Sequence, residues 1–211
     1  MRLFLPPGSL LRGALSACNE EGEQRPITFV AGAVSVESPF GVISSDESPA
    51  MKALLAIGSS GMIRLSARPT LSGGYVRSVL DAGLPRQRLV LAGVRAWQPD
   101  EREAARGLSL FSANEVFGLG MHEAADAMMS VARHWGTAHV SLNLDVLDPA
   151  FYSLTGDSEP GGLSVRELLY LLMRLRKLKN FYSFEISNAP QKDAEDGQKV
   201  KMIAKIAASL L

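Results

Sequence analysis

Short apolar runs that alternate with longer segments of helical period constrain the fold of this chain more than any other feature. Most of these runs are apolar at successive positions, as expected for parallel strands covered by helices on both faces. The runs are Ile27–Ala31, Gly41–Ser44, Arg88–Val94, Ala138–Leu144 and Asn180–Ile186. The alternation predicts an α/β sandwich. The connection Val36–Gly41 is too short for a parallel crossover, so the first two strands are not parallel neighbours or a helix has been lost there.

Two capping boxes indicate where the longer helices begin, because the serine and the glutamate of such a box each satisfy a free backbone N–H. Ser112–Glu115 opens a helix that is predicted to reach about Trp135. Ser164–Glu167 opens a second helix, whose leucines recur on one face. Further helices are predicted over Met51–Ile57, Gly74–Ala82 and Lys199–Leu211.

The composition narrows the classes of partner. The chain has 211 residues, enough for one domain with a core, and its 22 Lys and Arg balance 22 Asp and Glu. A neutral chain has no electrostatic footprint for nucleic acid. Cys18 is the single cysteine, which excludes an intrachain disulfide and a Cys-rich zinc site, and no apolar run is long enough to span a membrane. We therefore expect neither a nucleic-acid partner nor a transmembrane span.

The first 25 residues are predicted to form a tail, followed by one domain over residues 26–211. Between Met1 and Asn19 there is no acidic residue, while Arg2 and Arg12 are present, which is typical of a mitochondrial presequence. The pair Pro6-Pro7 conflicts with the amphipathic helix of such a presequence. Two interpretations remain open: a presequence or its remnant in a mitochondrial protein, and a solvated tail in a cytoplasmic one.

The most specific stretch is Ser141–Pro149 (SLNLDVLDP), followed by Thr155–Leu163 (TGDSEPGGL). It resembles the signature of the arginase/agmatinase (ureohydrolase) family, in which a strand ends in Ser-x-Asp-x-Asp-x-x-Asp-Pro and a loop with Gly-Gly leads into a helix. The resemblance implies an arginase-like three-layer α/β/α sandwich with a mainly parallel sheet, shortened at its N-terminus. Weaker matches to other family motifs are Pro26–Ser35, Gly41–Ala50, Ser59–Met62, Ala92–Arg95 and Phe184–Pro190.

The resemblance further implies hydrolysis of a guanidinium or amidine carbon by hydroxide that bridges two Mn²⁺ ions, held by carboxylates and imidazoles. In this sequence two of the histidines become valine and serine, and two of the aspartates become alanine and asparagine. We therefore expect no metal cofactor, or as the alternative a single weakly bound Mn or Mg ion. The metal-site positions are Val34, Asp46, Ser48, Ala50, Asn143 and Asp145, of which only the two aspartates keep a charge.

Several other residues have an open or structural interpretation. Glu185 stands where the resemblance implies a substrate-contacting glutamate, and it either binds a cationic group or pairs with Arg95 or another arginine. Ser60 replaces the histidine of the substrate loop. Asp148 is predicted to form a turn, and Arg95 to be a structural partner. The histidines His122, His134 and His139 are too widely spaced to form a metal pair.

Three functional hypotheses follow. The preferred one is a catalytically inactive pseudoenzyme, with no catalytic residue, that serves as a structural or regulatory subunit of a homo-oligomer or of a larger mitochondrial assembly. The second is a divalent-metal-dependent hydrolase of a guanidino or amidine compound, using Asp46, Asp145 and Glu185. The third is a non-catalytic sensor of a cationic metabolite that binds at Glu185.

Overall fold

The computed structural model describes residues 27–31, 59–72, 74–153, 158–189 and 197–209. Six strands form one sheet in the order β1-β6-β5-β2-β3-β4, and every pairing among them is parallel. This confirms the predicted α/β class with a mainly parallel sheet. The strands are β1 (Ile27–Ala31), β2 (Ser60–Leu65), β3 (Leu89–Val94), β4 (Ser109–Ser112), β5 (Thr137–Asn143) and β6 (Phe181–Ala189).

Six α-helices accompany these strands in the described residues. Both capping boxes are present, with Ser112 and Ser164 each accepting a hydrogen bond from the backbone N–H of the glutamate three residues later. The single helix predicted over 112–135 is wrong, because Gly120 has a φ of +79°, a left-handed conformation that interrupts it. The helices are α1 (Tyr75–Asp81), α2 (Glu101–Ala104), α3 (Ala113–Leu119), α4 (Met121–Ala132), α5 (Val165–Leu175) and α6 (Gly197–Ala208).

The two faces of the sheet pack against different helices, since successive side chains of a strand point to opposite faces. Ile63 and Val140 belong to the larger buried cluster, together with residues of α3, α4, α5 and α6. Met62 and Leu91 belong to a smaller cluster together with residues of α1. The alternation therefore places helices on both sides of the sheet, as the continuous apolar strands predicted. None of the helices that the structure describes is long and apolar enough to cross a membrane.

Strands β2 and β4 were not predicted from the sequence. Ser59–Met62 was interpreted as part of a substrate loop, whereas Ser60 is the first residue of β2. Four predictions fall outside the described residues and stay predictions: the tail over residues 1–25, the strand Gly41–Ser44, the helix Met51–Ile57 and the connection Val36–Gly41.

Candidate functional site

The carboxyl ends of β2 and β5 meet at one edge of the sheet, where Asp145 lies. Its Oδ1 accepts hydrogen bonds from the backbone N–H of Ala67 at 3.0 Å and from Ser66 Oγ at 3.1 Å. Asn143 Oδ1 in turn accepts the backbone N–H of Asp145 at 3.1 Å. Burial raises the pKa of Asp145, although the hydrogen bond from Ala67 and the charge of Arg64 act in the opposite direction. Two of the six predicted metal-site positions, 143 and 145, are thus adjacent at this edge.

Arg95 holds the loop that follows β5 in place. Its Nη2 donates to the carbonyls of Asp145 at 2.9 Å and Leu147 at 3.1 Å, and its Nη1 donates to the carbonyl of Val146 at 3.2 Å. Its Nε donates to the carbonyl of Glu159 at 3.0 Å. The planar fork of a guanidinium suits several acceptors at once. Arg95 is therefore the structural partner of the signature loop, as predicted, and it does not pair with the carboxylate of Glu185.

Asp148 organises the turn that the Asp-Pro pair predicted. Its Oδ1 accepts the N–H of Ala150 at 3.0 Å, and its Oδ2 accepts the N–H groups of Gly161 at 2.7 Å and Gly162 at 3.1 Å. The hydrogen bond from Ala150 is the largest of the effects that lower the pKa of Asp148. A Cβ atom at Gly162 would lie 2.5 Å from the nitrogen of Asp148 and 2.7 Å from Arg95 Nη2, so only glycine fits at this position.

Glu185 pairs with an arginine across the middle of the sheet. The strand register places Arg64 of β2 beside Ser141 of β5, and Ser141 beside Glu185 of β6. Arg64 Nη1 donates to Ser141 Oγ at 2.5 Å, and Ser141 Oγ donates to Glu185 Oε1. Arg64 Nη1 lies 3.9 Å from the same carboxylate oxygen. Arg64 and Glu185 are only 2% and 3% exposed, so this ion pair is buried.

Two more residues complete a buried group, the Arg64–Glu185 cluster, which consists of Arg64, Tyr75, His139, Ser141 and Glu185. The hydroxyl of Tyr75 donates to Glu185, and the Arg64 guanidinium lies 4.3 Å from the centre of the Tyr75 ring. His139 Nε2 lies 3.8 Å from Glu185 Oε2. Burial acts to raise the pKa of Glu185, but His139, Arg64 and Ser141 outweigh it and lower that pKa to about 2. Glu185 is therefore ionised. Arg64 Nε is buried and has no hydrogen-bond partner among the described residues.

The described residues do not fit a pair of manganese ions. Nowhere in the described part of the chain do three His, Cys, Asp or Glu side chains come together as a metal site would require. At the carboxyl edge, the described carboxylate that could coordinate a metal ion is that of Asp145, and its Oδ1 already accepts two hydrogen bonds. Two adjacent dications need far more negative charge than this to offset their repulsion. The positions Val34, Asp46, Ser48 and Ala50 lie outside the described residues.

Sequence reasoning missed the segment that contacts Asp145. The sheet places β2 directly beside β5, so the residue that faces Asp145 is Ser66, the first residue after β2. The sequence did contain a signal for this strand, the apolar residues Met62, Ile63 and Leu65. Gly61 and Arg64 interrupt this run, so it was not recognised as a strand.

Ser60 lies at the opposite end of β2 from this edge. Its hydroxyl makes a 2.7 Å hydrogen bond with the hydroxyl of Thr137, the first residue of β5. Strands β2 and β5 are parallel, so their N-terminal ends lie on one side of the sheet and their C-terminal ends on the opposite side. Ser60, at the N-terminal end of β2, is therefore about one strand length away from Asp145, which follows the C-terminal end of β5. The assignment of Ser60 to the position of a substrate-loop histidine is therefore wrong.

Comparison with known proteins gives a consistent family. Residues 64–211 match the Arginase family. The chain is 28% identical over 171 residues to proclavaminate amidinohydrolase from Streptomyces clavuligerus, covering 72% of this chain and 54% of that protein. It is 30% identical over 126 residues to arginase-1 from Mus musculus, covering 58% of this chain and 39% of that protein. The crystal structure of arginase from Bacillus cereus superimposes with a TM-score of 0.72 at 20% identity, covering 95% of this chain and 79% of that one.

These matches correct the prediction that the chain lacks catalytic activity. The similar proteins are named as hydrolases or arginases, and nothing in the described residues shows an inactive chain. Four of the six ligand positions on which that prediction rested lie outside the described residues. The chain spans about half the length, or less, of the curated relatives that it matches.

Proposed function

Because this chain belongs to the arginase family, we propose that it acts in the hydrolysis of a carbon–nitrogen bond in a guanidino or amidine compound. The observation that carries the proposal is the position of Asp145, which follows the C-terminal end of β5 at the carboxyl edge of the sheet, beside Ser66 and Ala67. Ligands of open α/β sheets bind outside this edge. The names of the relatives, an amidinohydrolase and an arginase, support the substrate class.

Asp145 is the group that we assign to the cationic part of the substrate. A guanidinium or amidinium presents parallel N–H donors that match the two oxygens of a carboxylate. Oδ1 of Asp145 is held by Ala67 and Ser66, whereas the hydroxyl of Ser66 lies 3.4 Å from Oδ2, which leaves that oxygen weakly bound. Glu185 is less suited to this role, because its carboxylate is already engaged inside the Arg64–Glu185 cluster.

No step is assigned to a metal ion here, since the described donors do not fit a manganese pair. A single Mn or Mg ion held by Asp46 and Asp145 stays a prediction, because position 46 lies outside the described residues. Assembly into a homo-oligomer or a larger complex and a mitochondrial location likewise stay predictions. The mass of the native complex and fractionation of cells test these two.

The proposed activity is tested with the full chain and four substrates: arginine, agmatine, guanidinobutyrate and formimidoylglutamate. Release of urea or ammonia is measured with and without added Mn²⁺. We expect turnover of at least one compound, and a loss of roughly 100-fold or more in Asp145→Asn, which keeps the shape but removes the charge. The matched control is Asp81→Asn, because the Asp81 side chain is exposed and pairs with Arg77 at 2.9 Å. A folded protein that releases neither product from any of the four compounds would refute the proposal.

A further inference from the structure

Glu101, the first residue of α2, is a buried acid whose side chain binds backbone groups of two different segments. It is 4% exposed. Its Oε1 accepts the N–H of Leu71 at 2.8 Å, and its Oε2 accepts the N–H of Gln98 at 2.9 Å. The N–H of Glu101 donates in turn to the carbonyl of Gln98 at 3.1 Å, so this side chain is anchored in its own turn. Glu101 therefore joins the segment that follows β2 to the segment that follows β3.

The β2–α1 loop, residues 66–72, is the segment that Glu101 holds. Near its start, the N–H of Ala67 donates to Oδ1 of Asp145 at 3.0 Å. Near its end, Leu71 is only 2% exposed, and its N–H is the group that donates to Glu101. Three residues separate these two contacts along the chain. A change at the Leu71 end is therefore transmitted over a short distance to the group that binds Asp145.

Thr70, next to Leu71, has an unfavourable backbone conformation. Its φ is +52°, in the left-handed region that β-branched residues rarely adopt. Its Oγ1 accepts the N–H of Val76 at 3.2 Å, and its carbonyl accepts the N–H of Arg77 at 3.2 Å. Such a conformation persists only where the surrounding contacts hold it. The hydrogen bond from the following residue to Glu101 is one of these contacts.

We propose that Glu101 is a positioning residue for the reaction at Asp145, because it holds the β2–α1 loop in the conformation in which Ala67 donates to that carboxylate. The inference rests on the proposed hydrolysis, since it concerns how Asp145 is presented to the substrate. Two N–H donors require an acceptor at each oxygen of the side chain, and a glutamine would turn its NH₂ group towards one of them. The buried N–H left without an acceptor is costly, so the loop would rearrange at Thr70.

Steady-state kinetics of Glu101→Gln test this role in the full chain, with whichever of the four compounds the unaltered protein hydrolyses fastest. We expect KM to rise about tenfold while kcat changes by less than about threefold, because a displaced Asp145 binds the cationic group less well. A purely structural role would lower the fraction of folded protein, and hence the apparent kcat, without changing KM. The matched control is Glu103→Gln, on the same helix, whose exposed side chain pairs with Arg106 at 2.7 Å and which should change neither constant.

Two outcomes of this experiment separate the inference from the proposed hydrolysis. An active unaltered protein whose Glu101→Gln variant is folded and keeps the same KM overturns the inference alone. An unaltered protein without turnover refutes the hydrolysis, and the inference with it.

The conformation of Thr70 provides a rescue experiment. Asparagine adopts the left-handed region more readily than threonine and keeps a side-chain acceptor for the N–H of Val76. The double variant Thr70→Asn with Glu101→Gln should therefore have a KM at least about threefold lower than Glu101→Gln alone. A double variant with no recovery of KM overturns the inference, because the loop conformation would then not be what Glu101 controls.

Hydrogen exchange of the unaltered protein decides the question even if Glu101→Gln does not fold. If one opening of the loop breaks both contacts, the amides of Ala67 and Leu71 should have protection factors within about tenfold of each other. They should also respond in the same way to low concentrations of urea. An Ala67 amide that stays protected while Leu71 exchanges far faster shows that the two contacts open separately, and this overturns the inference.

Discussion

Replacing either residue of the buried Arg64–Glu185 pair should strongly destabilise the protein, although Arg64 Nη1 and Glu185 Oε1 are 3.9 Å apart. Arg64→Met removes the permanent positive charge beside Glu185 and leaves its buried carboxylate with the hydroxyl groups of Ser141 and Tyr75 and with His139 at 3.8 Å. Glu185→Leu leaves the guanidinium buried and unpaired. Each single change is expected to lower the free energy of unfolding by about 3–5 kcal/mol, the usual cost of an uncompensated buried charge.

The double variant Arg64→Met with Glu185→Leu completes a double-mutant cycle, which measures the interaction free energy between the two residues. Because it leaves no uncompensated charge, it should be less destabilised than the sum of the single variants by roughly 2–3 kcal/mol. Urea denaturation followed by circular dichroism gives all four free energies. The control cycle uses Arg77 and Asp81, which lie 2.9 Å apart but whose side chains are each 58% exposed, and their coupling should stay within about 0.5 kcal/mol. A buried coupling no larger than this exposed one would refute the reasoning.

The same pair has a pH dependence of known sign. Glu185 has a pKa of about 2 in the folded protein, below the value of about 4.3 in an unfolded chain. The folded state therefore binds this proton less tightly, and the stability from Glu185 is present above about pH 4.3 and is lost as the pH falls towards about 2. Urea midpoints measured across this window should fall less steeply in Glu185→Gln than in the unaltered protein. Parallel slopes would contradict the assignment of an ionised Glu185.

Three further predictions concern the signature loop. Gly162→Ala should destabilise the protein by about 1–3 kcal/mol, because the new Cβ would lie 2.5 Å from the nitrogen of Asp148, whereas Gly118→Ala, with open space around it, should be tolerated; thermal melts compare the two. Arg95→Lys should cost about 2 kcal/mol in urea denaturation, since an ammonium cannot reach the carbonyls that the guanidinium bridges, and an unchanged midpoint would contradict this role. Asp145→Asn should raise the melting temperature at neutral pH, because burial raises the pKa of Asp145 and its charge therefore costs stability there. The gain in melting temperature should become smaller as the pH falls through the pKa of Asp145 in the folded protein. A variant that melts at a lower temperature than the unaltered protein at pH 7 would contradict this prediction.

The sequence predicted those parts of the fold that depend on local patterns. The capping boxes at Ser112 and Ser164 begin helices as expected, and β1 has the predicted bounds. Strand β2 was missed because Arg64 interrupts its apolar run, and the reason for that arginine lies on β6, 121 positions along the chain. Strand β4 was missed because a half-buried edge strand of four residues carries little hydrophobic signal.

The candidate site was predictable only where its residues share one motif. Asp145, Asn143 and the Asp148 turn follow from one stretch of sequence, and the structure places them together at and after the C-terminal end of β5. The neighbour of Asp145 was not predictable, because Ser66 becomes its partner through the pairing of β2 with β5. The choice between two fates for Glu185 also needed the register, which places Arg64 rather than Arg95 in its row.

The row of Arg64, Ser141 and Glu185 has a consequence for how the sheet assembles. These residues come from three strands that are distant along the chain, and parallel strands can slide past one another before they lock. A register shift of one residue would turn Glu185 to the opposite face of the sheet, into the apolar core under α5. A buried, unpaired charge there is costly, so incorrect registers are strongly disfavoured. We expect the variant with methionine and leucine at the two charged positions to refold into several alignments, visible as extra amide resonances, and a single clean spectrum would show that the alignment is dictated elsewhere.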